Sequence, residues 1–270
     1  MVNSRLRPRK GNEKLTLKRH GISRPEGHST RDFRLMPEQA RGQAEFDAFA
    51  ETYDSDVQHS LYGLKPDYFT KVKADFTIDL VNAYFGVRSD LDALDVGCGI
   101  GNCHPHLGDR FRTLAGTDVS QASLNRAAAR NDRVCYRHYD GHRLPFVDQS
   151  FDVVFATCVM HHVPPVRWDA FVAEMKRVLR VGGLALIFEH NPANPLTRKI
   201  VDRCEFDRDA VLLRRSEAEA LLVDAGLENV RSRCILSIPS VGARTRRLDY
   251  MIGRLGLGAQ YVAMAVKAPC

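Results

Sequence analysis

Three acidic residues stand at matching points of a repeated pattern. Asp95 lies in the short apolar run Leu91–Val96, just before Gly97-Cys98-Gly99-Ile100-Gly101; Asp118 closes the run Arg112–Asp118; Asp140, followed by Gly141, comes just after Val134–His138. A glycine-rich turn between a strand and a helix lets a ligand approach the backbone closely, and the helix N-terminus behind it offers N–H groups and positive dipole character. A carboxylate at the end of the next strand, here nineteen residues beyond Gly99, is placed to accept hydrogen bonds from both hydroxyls of a ribose. One at the following strand end can accept from an adenine amine. Dinucleotide sites need G-x-G-x-x-G, and Asn102 stands at the last of these positions, which argues against a pyrophosphate ligand. Any one of the three acids alone would read as a turn or cap residue. Three at successive strand ends point to one shared site.

The elements that must position them follow from periodicity. Phe46, Phe49, Ala50, Tyr53 and Val57 recur at helical spacing, and a second helical stretch covers about 66–84. Strands then alternate with helices: Leu91–Val96, Arg112–Asp118, Val134–His138, Phe151–Thr157 and Leu184–Phe188, with Ser120 as an N-cap, Pro105 in the first turn of its helix and Gly182-Gly183 ending the helix from Trp168. Phe151–Thr157 is continuously apolar except for Asp152, as a buried parallel strand should be. After a loop over 190–213 come a helix from Ser216 and two strand-like runs, Val230–Ile238 and Tyr261–Val266. This predicts an α/β, doubly wound, mostly parallel seven-stranded sheet with an antiparallel edge hairpin.

Bulk properties narrow the class. The 270 residues suit one large domain, and no apolar run reaches the length of about 18 residues that a spanning helix needs. Seven scattered cysteines are the pattern of reduced thiols, so a cytoplasmic protein is expected. Residues 1–34 carry ten Lys/Arg against Glu13, Glu26 and Asp32, a net of +7 within a chain total of +6, so the remaining body is close to neutral. Residues 1–35 read as a basic, disordered tail: an arm for nucleic acid or an acidic surface, a solvated tail, or an upstream start with Met36 as the true initiator. Cys98, Cys103, His104 and His106 superficially suggest zinc, but no second ligand pair has zinc-site spacing, so no metal is expected.

Taken together, Leu94-Asp95-Val96-Gly97-Cys98-Gly99-Ile100-Gly101, Asp118-Val119-Ser120, Asp140-Gly141-His142-Arg143-Leu144-Pro145-Phe146, Ser150-Phe151-Asp152-Val153-Val154-Phe155 with Val159-Met160-His161-His162-Val163, and Glu174 to Gly183 resemble the ordered motifs of Rossmann-like class I S-adenosylmethionine-dependent methyltransferases. The similarity is to the small-molecule branch of ubiquinone and menaquinone biosynthesis. It covers about 45–238, departing at Gly141, where that branch commonly has Ala. It implies S-adenosyl-L-methionine as cofactor, with Asp95, Gly97, Cys98 and Gly99 around its methionine part, Asp118 and Val119 at ribose, Asp140 and Gly141 at adenine, and Thr157 near the sulfonium. The pattern from Phe46 to Asp54 is similar to a family lid, so Tyr53 is expected at the methionyl end and Lys73 at its carboxylate. Core packing of Tyr53 and a solvated Lys73 are the competing readings. The domain expected is 36–270, with a helical lid over about 43–85.

A sulfonium is already an activated leaving group, so such an enzyme mainly aligns the nucleophile and excludes water. A hydroxyl or acidic carbon also needs a base, and His161, His162, Glu189 and His190 are candidates near the carboxyl edge; the competing readings are packing for His162 and loop capping for Glu189-His190. Arg198 or Arg203, in the loop 190–213, can hold an anionic acceptor group. The expected substrate is a small-molecule acceptor methylated on O, N or C. The alternatives are an RNA or protein methyltransferase using the basic tail, a non-catalytic S-adenosylmethionine-binding protein, and an NAD-dependent oxidoreductase.

Overall fold

The computed structural model of the chain describes residues 46–48, 50, 66–238 and 242–269. The tail 1–35 and Tyr53 lie outside them. A seven-stranded sheet has the order β3-β2-β1-β4-β5-β7-β6, with β1 Asp92–Val96, β2 Thr113–Asp118, β3 Val134–His138, β4 Phe151–Thr157, β5 Leu179–His190, β6 Glu228–Ile235 and β7 Gln260–Val266. β7 runs antiparallel to both of its neighbours, β5 and β6. The antiparallel pair at this side of the sheet is joined through a helix rather than a tight turn.

Among the described residues these helices accompany the sheet: α1 Pro66–Phe85, α2 His104–Leu107, α3 Gln121–Arg130, α4 Trp168–Val178, α5 Pro195–Val201, α6 Arg215–Asp224 and α7 Ala243–Ile252. The alternation along β4 explains its apolar run: Val154 and Ala156 join one core with Phe171, Val172 and Met175 of α4, while Val153 and Phe155 join the other with Val72 and Phe76 of α1. Ser120 caps α3 as expected, its hydroxyl accepting from the Ser123 amide at 3.0 Å.

Three local expectations are corrected. The helix after the glycine turn is a single turn, α2. Gly182-Gly183 lies inside β5 rather than before it: Gly182 is left-handed (φ 76°), and the register with β4 jumps from Phe151↔Leu179 to Val153↔Leu184. This is a bulge, which glycine accommodates. The segment 190–213 contains α5, because Asn194 accepts from the Leu196 and Thr197 amides as an N-cap with Pro195 behind it.

Candidate functional site

Because β1 to β5 are parallel, Asp95, Asp118, the Tyr139-Asp140 step, Thr157 and His190 all reach one edge of the sheet. The strand order reverses between β1 and β4, and open α/β sheets bind ligands at such a switch point. The turn after β1 is left-handed at Gly97, Gly99 and Gly101 (φ 74°, 52° and 71°). A Cβ on Gly97 would lie 2.5 Å from a Val159 methyl, so glycine is what lets the loop after β4 close onto the turn. A Cβ on Gly99 would meet nothing within 4 Å; that face is open. Three amides of the turn, however, are taken. Gly97 N and Cys98 N donate to the Thr117 carbonyl (2.7 and 3.0 Å), and Gly99 N donates to Asp118 Oδ2 (2.8 Å). The Gly97, Cys98 and Gly99 amides therefore tie β1 to β2 instead of facing a ligand, and α2 is too short to supply much dipole. What remains for a ligand is the open glycine face and the carboxylates.

Asp118 Oδ1 accepts from Ser120 N at 2.9 Å. Burial raises its carboxyl above the usual range, and the Ser120 and Gly99 amides pull it back down. Each oxygen keeps lone-pair capacity for a ribose hydroxyl. Asp140 is exposed and accepts from the His142 and Arg143 amides (2.8 and 3.1 Å), which hold it below the usual carboxylate range. A Val119 methyl stands 3.4 Å from where a Gly141 Cβ would be, so Val119 lies between the two acids. Arg167 anchors this segment by donating to the Gly141 carbonyl at 2.5 Å.

Polar groups left unmatched mark where a ligand would sit. Asp95 is buried with Oδ2 3.1 Å from His104 Nε2, while its Oδ1 has no partner; Thr157 Oγ1 is likewise buried and unpartnered. Lys73, also buried, has the Cys158 thiol at 3.3 Å, and no carboxylate pairs with it among the described residues. A buried ammonium and orphaned acceptors are costly unless something polar meets them. An acceptor-rich edge beside a buried cation fits a molecule carrying a ribose, an amine and a carboxylate, as S-adenosylmethionine does. Lys73 is thus buried rather than a solvated face.

Around the end of β5 the structure assembles a cluster that is legible along the chain only in pieces. His161 Nδ1 lies 2.6 Å from Glu189 Oε2, and Glu189 Oε1 accepts from the Val159 and Met160 amides (2.9 and 2.7 Å). Asp207 Oδ1 stands 3.6 Å from His161 Nε2 and 3.4 Å from His162 Nε2. The His190 ring is 5.1 Å from that of His161, and Phe206 and Phe46 meet His162 edge-on. Burial disfavours a charged His161, but Glu189 and Asp207 outweigh it and hold the imidazole well above its ordinary pKa. Burial also opposes the Glu189 carboxylate, and the His161 charge overcomes it, leaving Glu189 at about 2. Burial together with the His161 charge depresses His162, and lowers His190 to about 4. Glu189 is therefore the partner of His161, and His162 and His190 are the neutral imidazoles beside the pair.

His161, His162 and Asp207 bring three ligand atoms within 4.8 Å of one another, but a protonated His161 paired with Glu189 has no lone pair left for a cation. Cys98, Cys103, His104 and His106 are not gathered: His104 bonds Asp95 and Tyr136, and His106 bonds Asp67. Arg198, Arg203 and Asp207 line one cavity of about 350 Å³. Asp207 is the functional candidate that sequence reasoning left without a role. Its signal, an acid 45 residues beyond a His-His doublet, has meaning only once the loop folds back.

Residues 94–187 match the family described as "Methyltransferase domain". A 27-O-demethylrifamycin SV methyltransferase of Amycolatopsis mediterranei is 31% identical over 51% of this chain and 54% of its own length. A fatty-acid O-methyltransferase of Mycolicibacterium smegmatis is 35% identical over 52% and 55%. The chain spans about half the length of the curated relatives it matches. In fold it is similar to a SAM-dependent methyltransferase, a possible histamine N-methyltransferase, from Thermotoga maritima: TM-score 0.59, 18% identity, covering 83% of this chain and 99% of that one.

Proposed function

We propose that this chain, a member of the class I S-adenosylmethionine-dependent methyltransferases, transfers the methyl group of S-adenosylmethionine to a small-molecule acceptor. The observation that carries the reading is the one edge on which Asp118 and Asp140 flank the open face of Gly99, with the unpartnered Asp95 Oδ1 and Thr157 Oγ1 buried beside it. When bound, the cofactor supplies an electrophilic methyl on a sulfonium. In this reading Asp118 accepts from the ribose hydroxyls with Val119 against the ring, Asp140 and Gly141 meet adenine, and Gly97, Cys98 and Gly99 border the methionine part. Lys73 pairs with its carboxylate, Asp95 and Thr157 face its other polar end, and Tyr53 closes over it.

The acceptor's proton goes to a neutral imidazole. His162 and His190 are the two candidates, because burial and a charged His161 keep both rings neutral, with Asp207 Oδ1 3.4 Å from His162 Nε2. Glu189 is a positioning residue that holds His161 and the loop after β4. Arg198 and Arg203, beside Asp207 in the 350 Å³ cavity, provide the contact for an anionic group of the acceptor. The relatives act by name on a rifamycin and on fatty acids, which supports a small organic acceptor. The free thiols among the described residues suit a reducing compartment and support a cytoplasmic location. The test is calorimetry with S-adenosylhomocysteine, followed by transfer of labelled methyl from S-adenosylmethionine to fractionated metabolite extracts. Absence of binding heat on folded protein refutes the cofactor assignment, and label appearing only on RNA or protein refutes the acceptor class.

A further inference from the structure

The outward face of α7 has an unusual composition. Arg244, Arg247, Leu248, Met251, Arg254 and Leu255 are all exposed, at spacings of three and four that form one stripe running from α7 into the short helical turn Gly253–Leu255. Leu248, Met251 and Leu255 are 48%, 65% and 71% exposed. The stripe contains no carboxylate. Of the neighbouring acids, Asp249 is buried and accepts from the Leu236, Ser237 and Ile238 amides, while Asp75 and Asp79 pair with the buried Arg246 on the inner face. Among the described residues no carboxylate pairs with Arg244, Arg247 or Arg254.

The stripe also has a defined position relative to the site. It leads through Leu257 into Gln260, which pairs with His190 at the carboxyl edge. Asn194 Nδ2 donates to the Leu257 carbonyl at 2.9 Å and Thr197 Oγ1 to that of Ala259 at 2.8 Å, which fixes α5 against this turn. Leu196 and Leu257 are both exposed there, so apolar side chains continue from the stripe to the helix that carries Arg198.

We propose that this face docks on an anionic lipid surface, with Leu248, Met251, Leu255 and Leu257 entering the interface and Arg244, Arg247 and Arg254 meeting lipid phosphates. An interfacial helix needs both features, apolar side chains on the buried face and cations beside them. The other occupants fit worse. Residues 1–34 carry a net +7 and would be repelled by the arginines. A second copy would set like charge against like. A nucleic acid would take the arginines but leave four large apolar side chains in water. Docking at this edge gives the cavity beside α5 direct access to an acceptor dissolved in the lipid phase. This last point rests on the methyltransferase reading; the lipid contact itself does not.

The experiment is co-sedimentation of the full chain, without cofactor, with vesicles of phosphatidylcholine alone or mixed with phosphatidylglycerol. Binding is expected only to the mixed vesicles and weakens as salt rises. Each arginine replaced by glutamine lowers binding about fivefold, and the Met251→Ser/Leu255→Ser variant lowers it at least about tenfold. Melting temperature and S-adenosylhomocysteine binding should match the parent, which separates loss of docking from loss of folding and leaves the cofactor assignment independently tested. The proposal is overturned by any of three results: equal binding to both vesicle types, binding indifferent to the leucine and methionine changes, or a concentration-dependent dimer that these changes abolish.

Discussion

Nδ1 of His161 and Oε2 of Glu189 lie 2.6 Å apart, with both side chains 1% exposed. The contact joins the loop after β4 to the last residues of β5, and the second Glu189 oxygen accepts two amides of that loop. One carboxylate thus fixes the loop that also supplies Val159 to the glycine turn and presents His162.

Replacing Glu189 by Gln leaves the His161 charge buried without its main counter-charge. Breaking one partner of a buried pair costs about 3 kcal/mol or more, which in a chain of this size lowers the melting temperature by roughly 10 °C. Scanning calorimetry reads this directly. An unchanged melting temperature means that the pair is not ionised in the folded protein.

The same cluster sets a pH profile. Glu189, held at about 2, contributes stability that is present above its unfolded value of about 4.3 and is lost as pH falls through its folded value. His190, lowered to about 4, binds its proton more readily in the unfolded chain, so between about 6.5 and 4 acidification favours unfolding. His161, raised, contributes stability that is complete below about 6.5 and is lost as pH climbs through its folded value. Melting temperature should therefore pass through a maximum near or somewhat above pH 6.5. The His190→Gln variant should flatten the limb between about 4 and 6.5. A limb unchanged by that substitution refutes the assignment to His190.

Asp118 and Asp140 should separate binding from folding. Asp118→Ala removes the acceptor of the Gly99 and Ser120 amides, so it should lower both the melting temperature and S-adenosylhomocysteine affinity, the latter by about tenfold or more. Asp140 is exposed, and Asp140→Ala should weaken affinity by about tenfold with little change in melting temperature. Calorimetry and thermal denaturation on the same preparations give both readouts. Unaltered affinity in both variants contradicts the site.

Lys73→Met keeps much of the side-chain volume and removes a buried charge, so the fold should be retained. Affinity for S-adenosylhomocysteine should fall about tenfold or more, while 5′-methylthioadenosine, which lacks the amino-acid carboxylate, should bind as to the parent. An equal loss for both ligands would falsify the carboxylate contact.

Much of the site was legible because it is local. Asp118 is set nineteen residues from Gly99 by one strand-turn-helix-strand unit, and each acid stands at or within two residues of the end of its own strand. A strand's periodicity is enough to say which edge it ends on. The left-handed Gly97, Gly99 and Gly101 follow from the same motif. The local pattern misled at Gly182-Gly183, where two glycines read as a helix stop but make a bulge in β5. Backbone freedom serves either outcome, and only pairing with β4 selects between them.

The sequence by itself determined the parallel alternation, the order of the three acids and the charge imbalance of the tail, since each depends on neighbours in the chain. Tertiary structure alone decided that His161 rather than His162 meets Glu189, that Asp207 returns to both histidines, that Lys73 is buried against Cys158, and that three amides of the glycine turn are consumed by β2. These contacts join residues from 19 to 85 positions apart. Burial, which with the neighbouring charges sets the charge states of His161, His162 and His190, exists only after those segments have closed on one another.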